Sequence, residues 1–260
     1  MAKQYGDVSV EVGDDHVAEV EIHRPPNNFF DVELIRNLAD AYSDLDADPS
    51  SRAVVLCAEG KHFCAGADFS GASQAQRLPE EGANSLYREA VRLLRSELPV
   101  VAAVQGAAIG GGLGLACSAD FRVAAPEARF AANFARLGFH QGFGLSVTLP
   151  GIVGNQKALE MFYIGRRIPG DEAFAMGLCD RLVPLAEVRA AARDLAADIA
   201  KSGPLAIRSI RETMRGHLPD DVARITERED AEQIRLRATA DFAEGVKATA
   251  ERRDPNFAGR

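Results

Sequence analysis

The chain has 260 residues, 47% of them hydrophobic and 26% charged, with a formal net charge of −8. That is ordinary globular composition, with room for one large core or for a core and a small appended unit. The acidic balance, with basic residues dispersed beside acids as in Glu227-Arg228-Glu229-Asp230, argues against nucleic acid or an anionic membrane surface as a partner.

The stretch Met1 to Asp7 lacks the apolar segment of a secretory signal, and Cys57, Cys64, Cys117 and Cys179 show no metal-ligand spacing. Together these features predict a reduced, cytoplasmic protein without a metal site. Cys64 adjoins a glycine turn, yet packing is the reading its apolar neighbours favour.

Val8–Val12 and Val17–Ile22 alternate apolar with polar residues around an Asp14-Asp15 turn, which predicts a β-hairpin. Arg24-Pro25-Pro26-Asn27-Asn28 breaks the strand pattern. A helix is expected over Asp31–Asp46, with Leu34, Leu38, Ala41 and Leu45 on one face. Ala53–Ala58 and Val100–Val104 are short apolar runs that read as buried strands. Each leads into a glycine-rich turn: His62-Phe63-Cys64-Ala65-Gly66-Ala67-Asp68 after the first, Ala107-Ala108-Ile109-Gly110-Gly111-Gly112 after the second. Small residues there free backbone N–H groups to face a ligand, and the second turn enters the apolar helix around Leu113–Cys117. A helix N-terminus favours an oxyanion, and two amides converging on one carbonyl oxygen make an oxyanion hole.

Leu98–Ala119 and Leu137–Gln156 carry no charge and approach the length of a bilayer span. Glycines, prolines, Gln105 and His140 interrupt them, so they read as strand, turn and buried helix. Further strands are expected at Phe121–Ala124 and Arg129–Ala132, and a helix at Leu145–Val153. Asp171 is the expected N-cap of a short helix that Gly177 ends. From Val188 the pattern is helical, broken at Ser202-Gly203-Pro204, with Gly216 and Pro219 ending the next helix. The order gives an α/β core over residues 1–200 and a helical segment over 201–260 that packs on the core or on a neighbouring subunit. A nucleotide-binding dehydrogenase is disfavoured, because no Gly-x-Gly-x-x-Gly follows the first strand.

Several pieces, in order and spacing, resemble the crotonase (enoyl-CoA hydratase/isomerase) superfamily. They are Ile22-His23-Arg24-Pro25 with Asn28, Ala65-Gly66-Ala67-Asp68, Ala102-Ala103-Val104-Gln105-Gly106 through Gly110-Gly111-Gly112, Ala119-Asp120-Phe121-Arg122, Gly165-Arg166-Arg167-Ile168, and Glu244-Gly245 with Arg253, Pro255 and Phe257. The resemblance implies a crotonase-like α/β core of ββα spiral turns with a C-terminal helical trimerisation segment, assembled as a homotrimer or hexamer. It implies an acyl-CoA thioester as substrate, with coenzyme A part of that substrate and no tightly bound cofactor. The thioester oxygen would sit between the amides of Ala67 and Gly111, and Ala65, Gly66, Asp68 and Gly110 would shape the same pocket.

The family's catalytic carboxylates do not map. Gly114 stands at the first glutamate position, Phe134 at the second, and Gly142 where dienoyl-CoA isomerases place an aspartate. His140 is the expected acid/base in their place, oriented by Gln141; the plain alternative is a histidine bonded to nearby backbone. Glu89 is a second candidate, with a solvated helix-face role favoured. Arg24 is expected at the nucleotide end of CoA or as an exposed loop cation, and Lys247 and Phe257 as CoA contacts across a subunit boundary. His62 and Asp68 are expected to support the first turn. Two functions follow: an acyl-CoA lyase or isomerase working through a thioester enolate, or a CoA-thioester-binding protein without turnover.

Overall fold

The structure, a computed structural model, describes residues 3–69 and 82–260; Met1 and Ala2 of the N-terminal stretch read above lie outside the described residues. In chain order the strands are β1 (Lys3–Tyr5), β2 (Val8–Val12), β3 (Val17–Ile22), β4 (Ala53–Ala58), β5 (Val100–Val104), β6 (Ala107–Ile109), β7 (Phe121–Ala124), β8 (Arg129–Ala131), β9 (Ile168–Pro169) and β10 (Arg181–Leu182). The expected hairpin is β2 and β3, antiparallel with Val10 opposite Val20. From β3 onward the pairings are parallel, in the order β1-β2-β3-β4-β5-β7-β10. A smaller sheet, β6-β8-β9, lies beside it.

Parallel strands buried on both faces read as unbroken apolar runs, and all six residues of β4 are buried. Their side chains alternate between two cores. Val54 and Leu56 face the larger core with α1 (Val32–Ala47); Val55 and Cys57 face the smaller one with α7 (Val188–Ala200). Asp31 starts α1 as the sequence suggests, its Oδ1 accepting from Leu34 N–H at 2.9 Å. All four cysteines are buried free thiols. Burial pushes Cys64 and Cys179 up to about 12 and Cys117 up to about 11, so Cys64 is packing rather than chemistry.

Helix α7 ends at Ala200. Beyond it, α8 (Pro204–Arg215) buries none of its own residues. It docks instead through Arg211 and Arg215, which pair with Asp120 at 3.1 and 2.9 Å while Asp120 also accepts from Val100 N–H. Leu205 (81% exposed), Ile210 and Met214 project outward. The next helix, α9 (Leu218–Arg237), packs against α2 (Gly82–Leu94) and α4 (Leu145–Val153), and α10 (Ala240–Ala250) lies on the short turn Ala135–Leu137. Among the described residues, no helix is long and apolar enough to cross a membrane.

Two expectations about helix ends are corrected. Pro219 does not end a helix; it sits in the first turn of α9, where no backbone N–H is required. The short helix α6 (Gly170–Ala175) is preceded by Pro169 without a side-chain cap, and Asp171 lies in its first turn, where its charge complements the helix dipole.

Candidate active site

The two glycine turns are held side by side by their own backbone. Cys64 N–H donates to Ala107 O at 2.9 Å, and Ile109 N–H donates to Cys64 O at 3.1 Å, a parallel bridge between the turns. Asn28, fully buried at φ +49°, fixes the first turn from outside: its Nδ2 donates to the carbonyls of Glu59 (2.8 Å) and His62 (2.6 Å). The adjoining residues repeat the clamp, with Ala65 N–H donating to Asn27 O and Phe30 N–H to Gly66 O. His62, expected to support the first turn to which it belongs, bonds across to the second, its Nδ1 accepting from Ala107 N–H at 3.2 Å; burial lowers its pKa and favours that neutral acceptor.

Peptide planarity then sets where two amides point. A trans peptide directs N–H and C=O in opposite directions. Gly66 O is taken by Phe30, so the Ala67 N–H of the same peptide faces the other way. Gly110 O accepts from Gly114 N–H inside α3 (Gly111–Ser118), so Gly111 N–H points out of the helix N-terminus. Among the described residues, neither Ala67 N–H nor Gly111 N–H makes a hydrogen bond, whereas Cys64, Ala65, Ile109 and Gly110 all do. Gly66 adopts φ +90° and a Cβ there would lie 2.7 Å from Ile109 O, so glycine is required for the turns to meet.

Ala67 and Gly111 both line one cavity of about 800 Å³. Ala65, Gly66, Asp68, Gly110 and Phe134 line it too, as the sequence suggests, and its apolar wall includes Phe29, Phe30, Phe69, Phe139 and Phe143. An apolar cleft with a few convergent polar groups is the usual form of a small-molecule site.

Other expected residues lie elsewhere. His140 and Gln141 are not in the lining: His140 Nδ1 is bonded to Gln141 O at 2.8 Å, and Gln141 Nε2 to Ser146 Oγ. The loop turns its backbone, not the imidazole, toward the pocket residues, and His140 O accepts from Gln233 Nε2 at 3.0 Å. Gly114 is buried behind the wall, where a Cβ would lie 2.7 Å from Phe143 Cβ; the aromatic ring fills the place of a longer side chain. Arg24 is outside the lining and pairs with Asp7 (2.7 Å) and Asp31 (2.9 Å). Glu89 is buried between Arg92 (2.6 Å) and Arg36 (3.4 Å), not solvated and not in the cavity. Lys247 is exposed, Phe257 is 41% exposed, and neither lines the cavity within the chain.

Sequence reasoning missed two polar groups of the wall. Lys61 and Arg129 flank Gly106, and Arg167 joins them in the lining as one group. Tyr87, Gln233 and Arg237 form the other: a side chain at Gly142 would collide with Tyr87 Oη and approach Gln233 Nε2 within 2.5 Å. The only sequence signal for the latter group is the four-residue spacing of Gln233 and Arg237 on one helix face.

The sequence model described as enoyl-CoA hydratase/isomerase matches residues 13–260. A putative enoyl-CoA hydratase of Thermus thermophilus is 36% identical over 262 residues, covering 96% of this chain and 100% of the relative. The crotonyl-CoA hydratase of Syntrophomonas wolfei is 32% identical, covering 94% and 95%. Among solved structures, an enoyl-CoA hydratase/isomerase from Pseudoalteromonas atlantica superposes with a TM-score of 0.86 at 31% identity, covering 97% of this chain and 100% of its own.

Proposed function

This chain belongs to the enoyl-CoA hydratase/isomerase family, and from that premise we propose that it binds an acyl-CoA thioester and works through the thioester enolate. The carrying observation is the pair of unbonded amides, Ala67 N–H and Gly111 N–H, of two residues that line one apolar-walled cavity. When water in the cavity takes a proton from Cα of the acyl group, the C–H electron pair forms the enolate and negative charge moves onto the thioester oxygen. Two fixed donors there cost no reorganisation as that charge builds, and one such donor is worth about 3 kcal/mol of barrier. Lys61, Arg129 and Arg167 supply the cations that suit the phosphates of CoA.

Proton transfer differs from the two-carboxylate scheme. Positions 114 and 134 carry no acid, and Phe143 fills the space beside Gly114. Tyr87 reaches the wall at Gly142, and burial pushes its phenol far up, so Tyr87 Oη stays protonated and donates. The residues therefore suit an isomerase or lyase step, with Tyr87 Oη offering a hydrogen bond along the acyl chain and not a proton, rather than general-base activation of water by paired glutamates. A second reading, a thioester binder without turnover, is favoured by the same filled position at Gly114. The outward apolar residues Leu205, Ile210 and Met214 of α8 support assembly of copies of this chain through that face, which sedimentation would register.

Incubation with a panel of enoyl- and 3-oxoacyl-CoAs in deuterated water tests the reading. Product formation or Cα deuterium uptake is expected, reduced at least a hundredfold in Ala67→Pro, which removes one donor. Thermal stabilisation by acyl-CoA with neither product nor exchange would leave the binder. No binding of any thioester would end both.

A further inference from the structure

Arg237 is an anomaly in an apolar wall. Its guanidinium lies 5.3 Å from the ring centroid of Phe139 and 5.9 Å from that of Phe242. Among the described residues no carboxylate comes within 4.0 Å of it, and its buried Nε has no hydrogen-bond partner. Among the described residues, one long contact, 3.4 Å from a terminal nitrogen to Gln233 Oε1, is its single hydrogen bond. Asp230 is the acid that acts on it from the same helix, and Asp230 has its own buried oxygen unpaired. A half-buried cation without a counterion is costly, and the faces of two aromatic rings compensate only in part.

The position of this cation relative to the amides follows from contacts. The ring of Phe30 abuts Gly111, Phe30 packs edge-on against Phe143 at 5.7 Å, and Phe143 adjoins Gly142, which touches Tyr87 and Gln233. Arg237 is therefore separated from the proposed thioester oxygen by a short aromatic stretch. A ligand lying along that stretch would meet a donor cluster of Arg237, Tyr87 Oη and the Gln233 amide at its far end.

We propose that Arg237, with Tyr87 and Gln233, receives a carboxylate at the distal end of the acyl chain, so that the substrates are CoA monothioesters of dicarboxylic acids. This rests on the thioester reading above and names its substrate class. A carboxylate accepts two N–H bonds from a guanidinium and one O–H bond from a phenol, matching the unused donors. A methyl-terminated chain would leave them dry and unpaired.

Calorimetric titration with glutaryl-CoA and pentanoyl-CoA, saturated thioesters of equal chain length, separates the two ideas. The wild-type chain is expected to bind glutaryl-CoA at least tenfold more tightly, Arg237→Met to lose that preference while keeping pentanoyl-CoA affinity, and Asp230→Asn to keep it. Equal or tighter binding of pentanoyl-CoA by the wild type overturns the carboxylate subsite and leaves the thioester site standing, without recourse to any variant. Retention of the preference in a folded Arg237→Met protein also overturns it. Failure to bind either thioester removes the thioester reading, and this inference with it.

Discussion

Phe30 touches both arms of the proposed oxyanion hole: its N–H donates to Gly66 O at 3.1 Å, and its ring occupies the space where a side chain on Gly111 would go. The two amides are thus registered by one residue that belongs to neither turn.

Gly111→Ala forces the Phe30 ring aside or tilts the Gly110–Gly111 peptide. Thioester affinity or turnover is expected to fall at least tenfold, with a smaller loss in the Gly111→Ala, Phe30→Leu double variant. Calorimetry with pentanoyl-CoA alongside melting curves checks this; unchanged affinity in the single variant contradicts the registration.

At Gly114 the obstacle is Phe143. Gly114→Glu alone overpacks the wall and is expected to lower stability by about 2 kcal/mol. Adding Phe143→Ala makes room, and the double variant should hydrate crotonyl-CoA faster than the parent, read as loss of enoyl-thioester absorbance. A stable Gly114→Glu protein in urea titration would show that Phe143 yields freely.

Glu229, with no exposed surface, accepts from Gly144 N–H at 2.8 Å and Ser146 N–H at 3.0 Å. It caps α4 from another helix and anchors the loop carrying Phe143. Burial raises its pKa, which the two N–H groups oppose. Glu229→Ala orphans both donors and is expected to cost about 3 kcal/mol, with Glu229→Gln costing roughly half; denaturant midpoints decide.

The C-terminal tail folds back through Glu244, whose carboxyl is held down at about 2 by the Arg253 guanidinium and the Asn256 N–H. A depressed folded pKa means that this attachment is complete above the ordinary 4.5 and is lost as pH falls through about 2. Carbon-detected NMR of Glu244 should show the low midpoint in the wild type and a value near 4.5 in Arg253→Gln.

The fold was legible because its signals are local. The β2–β3 alternation, the apolar face of α1 and the apolar β4 and β5 runs each depend on neighbours in sequence, as does the pairing of strand with glycine turn. The polar chemistry of the pocket was not, because it is assembled by contact between distant segments. His140 looked exposed to the pocket in an uncharged stretch, yet its ring bonds to the next residue's carbonyl. Tyr87 and Arg237 are brought together by packing of α2 on α9, for which spacing along the chain gives no cue. Gly114 and Gly142 are read from the sequence as positions without a carboxylate, but only the packed structure shows Phe143 beside the first and Tyr87 and Gln233 beside the second.

Gln233, Arg237, Val246, Thr249 and Ala250 reach the cavity from helices beyond residue 200, while the paired amides come from residues 67 and 111. Part of the proposed distal wall and the proposed charge-stabilising pair thereby come from separate stretches of the gene. Exchange of the last sixty codons would then alter part of the wall while leaving both amides in place, and a version trimmed to its sheet would lose that part of the room they serve.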